Sequence, residues 1–207
     1  LLHAALTDAG APRTAAAAVA PVIRSVQSFG FHLASLDIRQ NSAFHDIALA
    51  QLLVAAGVDA AGFSSWNESR RLELLNLELR SSRPLLRADA SAGPEADAVL
   101  STYRVLLEHL RHVGPEGVGA LIVSMTRQAS DLLLVYLFAR EVGLTESGPE
   151  GWGCLLPVVP LFETIDDLAR SPEILRVFLT HPATRRSLAA GRRQRREDPD
   201  APVVQQV

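Results

Sequence analysis

Three short runs constrain this chain most. Residues 31–39 (FHLASLDIR), 120–126 (ALIVSMT) and 155–163 (LLPVVPLFE) are too short for helices, and their middles are apolar on both faces. A strand exposed on one face alternates apolar and polar residues, whereas a strand covered on both faces does not. The three runs therefore read as buried strands of a parallel sheet. Between them lie stretches with helical apolar spacing, and strand–helix alternation of this kind predicts a parallel α/β structure rich in helix. Three strands with extra helices match a sector of a (β/α)8 barrel. The chain shows no internal repeat.

The helical stretches carry recognisable ends. Residues 1–9 read as a helix stopping at Gly10, and a second helix is expected over 12–28. In that second helix Pro12 suits the first turn and Gly30 suits a cap, while Pro21 should kink or split it. Asn41 or Ser42 caps a helix ending at Gly57, with Phe44, Ile47, Leu52 and Leu53 on its apolar side. Ser65-Trp-Asn-Glu68 has the Ser-x-x-Glu form of a capping box and predicts a helix through about Arg80. Residues 81–93 read as a polar connector. A long helix follows over 94–113, and a glycine-rich turn over 114–119. Ser130 and Asp131 open a helix to Val142, ended by Gly143. Residues 145–153 read as a loop. Short helices are expected near Ile165, after Ser171-Pro172 and after His181-Pro182. Residues 191–207 read as a mobile charged connector, and the whole of 1–207 as a single partial domain.

Composition removes several function classes. Of the 207 residues, 48% are hydrophobic and 21% charged, which excludes a disordered chain. The formal net charge of −3 supplies no field to gather nucleic acid or an anionic membrane. No apolar run reaches the roughly 18 residues of a membrane span. Cys154 is the one cysteine, so no internal disulfide exists, and a reducing compartment is expected. All 20 basic residues are arginine, so Schiff-base or P-loop lysine chemistry cannot come from this chain.

In parallel α/β folds, functional groups gather where strands end. The first run ends in Asp37, Arg39 and Gln40, the second in Thr126 and Arg127, the third in Glu163 and Thr164. If the strands are neighbours, two arginines and a carboxylate meet at one mouth. Arginine suits a phosphate or carboxylate because its planar fork donates in pairs. Glutamate suits Mg²⁺, which takes one or two carboxylates plus water and substrate oxygens. An arginine at a strand end can equally serve as an ion-pair or capping residue.

Other groups read as structural. His109 and His112 lie three apart on a helix with no third ligand nearby. His32 and His45 read as packing residues and Cys154 as a structural thiol. Gly114, Gly117 and Gly119 precede a strand, where a dinucleotide fingerprint must follow one. Arg192, Arg193, Arg195 and Arg196 are followed at once by Glu197, Asp198 and Asp200, the pattern of a solvated linker. Asp166 and Asp167 read as carboxylates at a helix N-terminus.

Three blocks resemble phosphoenolpyruvate carboxylases: FGFHLASLDIRQNS (29–42), IVSMTRQASDLL (122–133) and PVVPLFETIDDL (157–168). They stand in family order and span most of residues 29–168. The closing VVQQV (203–207) is similar to the lead-in of a further block, Gly-Tyr-Ser-Asp-Ser, which this chain lacks. The resemblance implies part of a (β/α)8 barrel. It implies an enzyme that joins phosphoenolpyruvate and bicarbonate, with Mg²⁺ or Mn²⁺, into oxaloacetate and phosphate by way of carboxyphosphate and the enolate of pyruvate. It implies that Arg39 contacts the substrate phosphate and that Glu163 binds the metal. Gln40 is expected in the substrate-binding set with Arg39, as a group supporting it. The family's catalytic histidine, its second metal carboxylate and further substrate arginines are expected outside this chain, so the segment alone is expected to be inactive. A cytoplasmic homotetramer is implied for the parent protein, with no nucleic-acid or membrane partner. A degenerate, non-catalytic α/β scaffold is the alternative.

Overall fold

A computed structural model describes residues 1–31 and 34–194, which form two compact units divided at Leu36 and Asp37. His32, Leu33 and the charged stretch from 195 onward lie outside the described residues.

The first unit is helical: α1 is Leu2–Asp8, α2 Pro12–Thr14 and α3 Ala20–Phe29. The interruption expected at Pro21 takes the form of a π-helical stretch, Ala15–Val19. It leaves Pro21 in the first turn of α3, where a missing N–H breaks no bond of that helix. Gly30, at φ 59°, ends α3 with its N–H on the Val26 carbonyl.

Strand β1, Leu36–Asn41, starts at the last residue of the first unit and otherwise belongs to the second, in a three-stranded sheet of order β1-β2-β5. Here β2 is Val118–Ser124 and β5 is Val158–Pro160. The β2–β5 pair is parallel, with Leu121 opposite Val158 and Val123 opposite Pro160. The expected third strand is shorter than its apolar run, because Pro157 and Pro160 cannot donate to a ladder. Strands β2 and β5 are buried as expected. β1 is not: Leu36 is 70% exposed, and no residue of the strand is fully buried. It is an edge strand with β2 as its one neighbour among the described residues.

Helices α4 (Ser42–Ala55), α5 (Glu68–Glu78), α6 (Pro94–His112) and α7 (Ser130–Val142) build the core. Every residue of α7 from Ser130 to Arg140 is buried. A helix apolar all round belongs in the interior, and α7 is packed by α4, α5 and α6 as well as by β5. The connector 81–93 is tied to this helix: the Leu85 and Leu86 amides donate to the Glu141 carboxylate, and the buried Arg140 donates to the Glu78 and Ser81 carbonyls.

Five local expectations give way. Asn67, not Ser65, caps α5, accepting from the Arg70 N–H, while the Ser65 hydroxyl donates to the Gly62 carbonyl inside a 3₁₀ turn, Phe63–Ser65. Residues 145–153 are not a loop but an antiparallel hairpin, β3 (Thr145–Gly148) with β4 (Gly151–Cys154), because Trp152, Gly153 and Cys154 are buried. The Ser171-Pro172 start does not occur. α8 runs unbroken over Ile165–Thr180 from Thr164, whose hydroxyl accepts from the Asp167 N–H. Ile47 is 44% exposed rather than part of the core side of α4. Finally α9, Pro182–Gln194, takes up residues 191–194 of the expected connector. Among the described residues no helix is long and apolar enough to cross a membrane.

Candidate active site

The three strand ends do meet. β1 delivers Arg39, and the chain leaving β5 delivers Glu163. Arg39 Nη2 lies 2.6 Å from Glu163 Oε1. The other carboxylate oxygen, Oε2, accepts the Met125 N–H at 2.8 Å just past β2. The Met125 carbonyl in turn accepts the Ser42 hydroxyl at 2.7 Å, from the first turn of α4. Asp37 ties β1 to β2 by accepting the Ala120 N–H at 2.7 Å. Asp37, Arg39 and Glu163 thus each find a partner on or just past a different strand, which is what neighbouring strands allow.

Met125 has φ 55° and is the one non-glycine residue in the left-handed region among the described residues. A side chain there is strained unless its surroundings fix it. The fixing bonds are visible on both sides: Ser42 on its carbonyl, Glu163 on its N–H, and the Thr126 N–H on the Leu161 carbonyl at 3.1 Å.

The Arg39–Glu163 pair is open to water, with side chains 55% and 30% exposed. An ion pair so exposed contributes only ~0–1 kcal/mol, so either partner can exchange the other for an incoming ion. Gln40 turns elsewhere: its Oε1 accepts the N–H of its neighbour Asn41 at 2.8 Å.

The second arginine, Arg127, is 39% exposed but bonds to buried carboxylates rather than joining Arg39. Its Nη2 reaches Asp46 Oδ2 at 2.8 Å and Asp131 Oδ1 at 3.1 Å, and its backbone N–H reaches Asp131 Oδ2 at 2.9 Å. Arg71 completes the cluster, with Nη2 at 2.6 Å from Asp46 and 2.9 Å from Asp131. Arg71, Asp46 and Asp131 are each about 1% exposed or less. Two positive and two negative charges balance, which is the condition for burying charge at all. Burial works against the Arg127 charge, but Asp131 and Asp46 outweigh it and raise its pKa. Neither Asp46 nor Arg71 was legible as a site residue. The available signal was a charge at the core-facing side of an apolar helix, as with Asp46 beside His45 in α4.

Two titratable groups flank this cluster. His45 is 2% exposed and neither ring nitrogen has a partner. Burial pushes its pKa down to about 4, against a pull upward from Asp131. Burial raises Glu68, opposed by bonds from the Ser130 hydroxyl and N–H. Cys154 is buried and its thiol is pushed up to about 12, as a structural thiol should be. The His112 Nδ1–H donates locally to the Glu108 carbonyl at 2.9 Å. Among the described residues no group of three or more His, Cys, Asp and Glu could hold a metal ion. Glu163 can supply one oxygen ligand, not a complete set.

A family model described as phosphoenolpyruvate carboxylase matches residues 1–197. The chain belongs to the phosphoenolpyruvate carboxylase family. Proteins named phosphoenolpyruvate carboxylase are similar to it in Roseiflexus castenholzii, at 40% identity over 189 residues, and in Rhodothermus marinus, at 44% over 171 residues. These alignments cover 91% and 79% of this chain, but 20% and 18% of the relatives. Phosphoenolpyruvate carboxylase 4 of Arabidopsis thaliana is 37% identical over 183 residues, covering 87% of this chain and 17% of its own length. The chain therefore spans about a fifth of the length of the carboxylases it matches.

Proposed function

We propose that this chain supplies one sector of a (β/α)8 barrel and part of the active site of an enzyme that makes oxaloacetate and phosphate from phosphoenolpyruvate and bicarbonate. The observation that carries the reading is the meeting of Arg39 and Glu163 at the shared mouth of β1 and β5. A planar cation and a hard anion, each exchangeable, suit a phosphorylated substrate and a divalent metal respectively.

The chain's own groups then divide the work. Arg39 gives up Glu163 and turns its paired donors to the substrate phosphate, holding that charge while bicarbonate attacks phosphorus. Glu163, anchored through Oε2 by the Met125 N–H, would supply a carboxylate ligand to the metal. Mg²⁺ or Mn²⁺, when bound, supplies positive charge opposite the negative charge that develops as the phosphate leaves. Phosphoryl transfer to bicarbonate gives carboxyphosphate and the enolate of pyruvate; carboxyphosphate splits into carbon dioxide and phosphate, and the enolate captures the carbon dioxide. Gln40, bonded to the backbone at Asn41, holds the end of β1 rather than substrate. The remaining metal ligands, the catalytic base and further phosphate contacts belong to other parts of the full-length protein, a cytoplasmic homotetramer in this reading.

The test uses the full-length protein. Oxaloacetate formation should require phosphoenolpyruvate, bicarbonate and Mg²⁺. Glu163→Gln should lower kcat at least 100-fold and raise the metal requirement. Metal-dependent turnover that survives Glu163→Gln would remove Glu163 from the site. A folded protein without turnover would favour the scaffold alternative.

A further inference from the structure

We infer that Arg127, locked by the buried Asp46 and Asp131, which Arg71 holds in turn, is a positioning residue that aims the Met125 N–H at Glu163 and so sets the carboxylate that meets the divalent cation. The inference rests on the reading of Glu163 as a metal-binding residue and adds residues from α4, α5 and α7 to the site.

The path is short and continuous. Glu163 Oε2 is held by the Met125 N–H. Met125 sits at a backbone angle that a methionine does not adopt unaided. Two residues on, Arg127 is fastened at three points to Asp131 and at one to Asp46. Asp131 opens α7, the most enclosed helix of the unit, and Asp46 lies in α4, whose first residue Ser42 grips the Met125 carbonyl. The turn that carries the N–H is thus clamped on both sides by helices α4 and α7. Arg71, from α5, neutralises the second negative charge and closes the cluster.

A stability role alone does not account for this arrangement. A buried ion cluster is poor evidence of stabilisation, since apolar groups of equal volume often serve as well. Arg127 is also the cluster's solvent-side member, 39% exposed where the other three members are enclosed. Its position beside the turn, and not its burial, is what the geometry uses.

The experiment measures binding of Mn²⁺ alone to the full-length protein, from the spectrum of the free ion, without substrate. Arg127→Met, Glu163→Gln and the double variant are compared, each with its thermal midpoint. Arg127→Met should weaken Mn²⁺ binding about tenfold, as loss of a group supporting a metal ligand does, and this loss should vanish in the Glu163→Gln background. Wild-type affinity in a folded Arg127→Met protein overturns the inference. Equal weakening in both backgrounds overturns it too, because the effect then does not pass through Glu163. If Glu163→Gln alone leaves Mn²⁺ affinity unchanged, the metal-binding reading of Glu163 falls and takes this inference with it. Should Arg127→Met not fold, Arg127→Lys keeps the charge but cannot span both carboxylates. It should weaken Mn²⁺ binding severalfold, and unchanged affinity there is equally fatal.

Discussion

His45 is enclosed between Phe138, whose ring centroid lies 5.5 Å from its own, and the charged cluster, with no partner for either nitrogen. It is therefore neutral when folded, with its pKa lowered from 6.5 to about 4. The unfolded chain binds the proton more tightly, so stability is fully present above about pH 6.5 and is lost as pH falls toward 4. A drop of that size corresponds to roughly 3 kcal/mol. Chemical denaturation of wild type and His45→Phe between pH 7 and 4 should show the loss in wild type and its reduction in the variant. Equal slopes would mean that His45 takes up its proton without unfolding. At this scale the sequence was partly legible. Arg39 and Glu163 stood out because each follows an apolar run at a strand end. Asp46 and Arg71 did not, because a charge inside a helical period is indistinguishable from a solvated one until its partner, here 25 residues away, is placed against it.

At the scale of elements, the apolar runs and caps located helices well wherever one signal dominated: α6, α7 and the Asn41 start of α4 lie where their spacing and caps put them. Errors arose where composition stood in for contact. The glycine-rich stretch read as a loop is the β3–β4 hairpin, and its glycines serve close packing. A Cβ built on Gly153 would lie 2.5 Å from the Arg186 carbonyl oxygen and 2.8 Å from the Ser187 N, both backbone atoms of α9. Neither can step aside without moving the helix, and the Ser187 hydroxyl accepts the neighbouring Cys154 N–H at 2.9 Å. Gly153→Ala should therefore destabilise by about 1–3 kcal/mol, read as a lower midpoint in denaturant with unchanged slope. An unaltered midpoint would show that α9 is free to shift away from β4. β1 was misread for the complementary reason: its apolar run suggested two covered faces, but burial depends on neighbours that a local pattern does not contain.

For the whole molecule, the same lack of neighbours decides how residues 1–207 behave on their own. In the second unit β1 and β5 each have one partner strand among the described residues, and a strand with an unpaired side is a template for another chain. Beside that sheet, Ile165 and Leu168 at the start of α8 are 86% and 57% exposed. In the first unit Val22, Ile23, Val26 and Phe29 of α3 stand 39–60% exposed. Such residues lie three and four apart, so they share one face of the helix, and a contiguous apolar face of this kind is ordinarily covered. With Glu163 as a lone carboxylate, the segment also cannot complete a metal site from its described residues. Expressed alone, residues 1–207 should form no oxaloacetate and should associate, with a mass from light scattering that rises with protein concentration. Association should lessen when Val22 and Val26 are replaced by Glu, which places charge on that face of α3. A monodisperse monomer with one cooperative melting transition would show instead that these edges and faces are tolerated in water, and bicarbonate-dependent turnover by that monomer would show that the missing ligands are not needed.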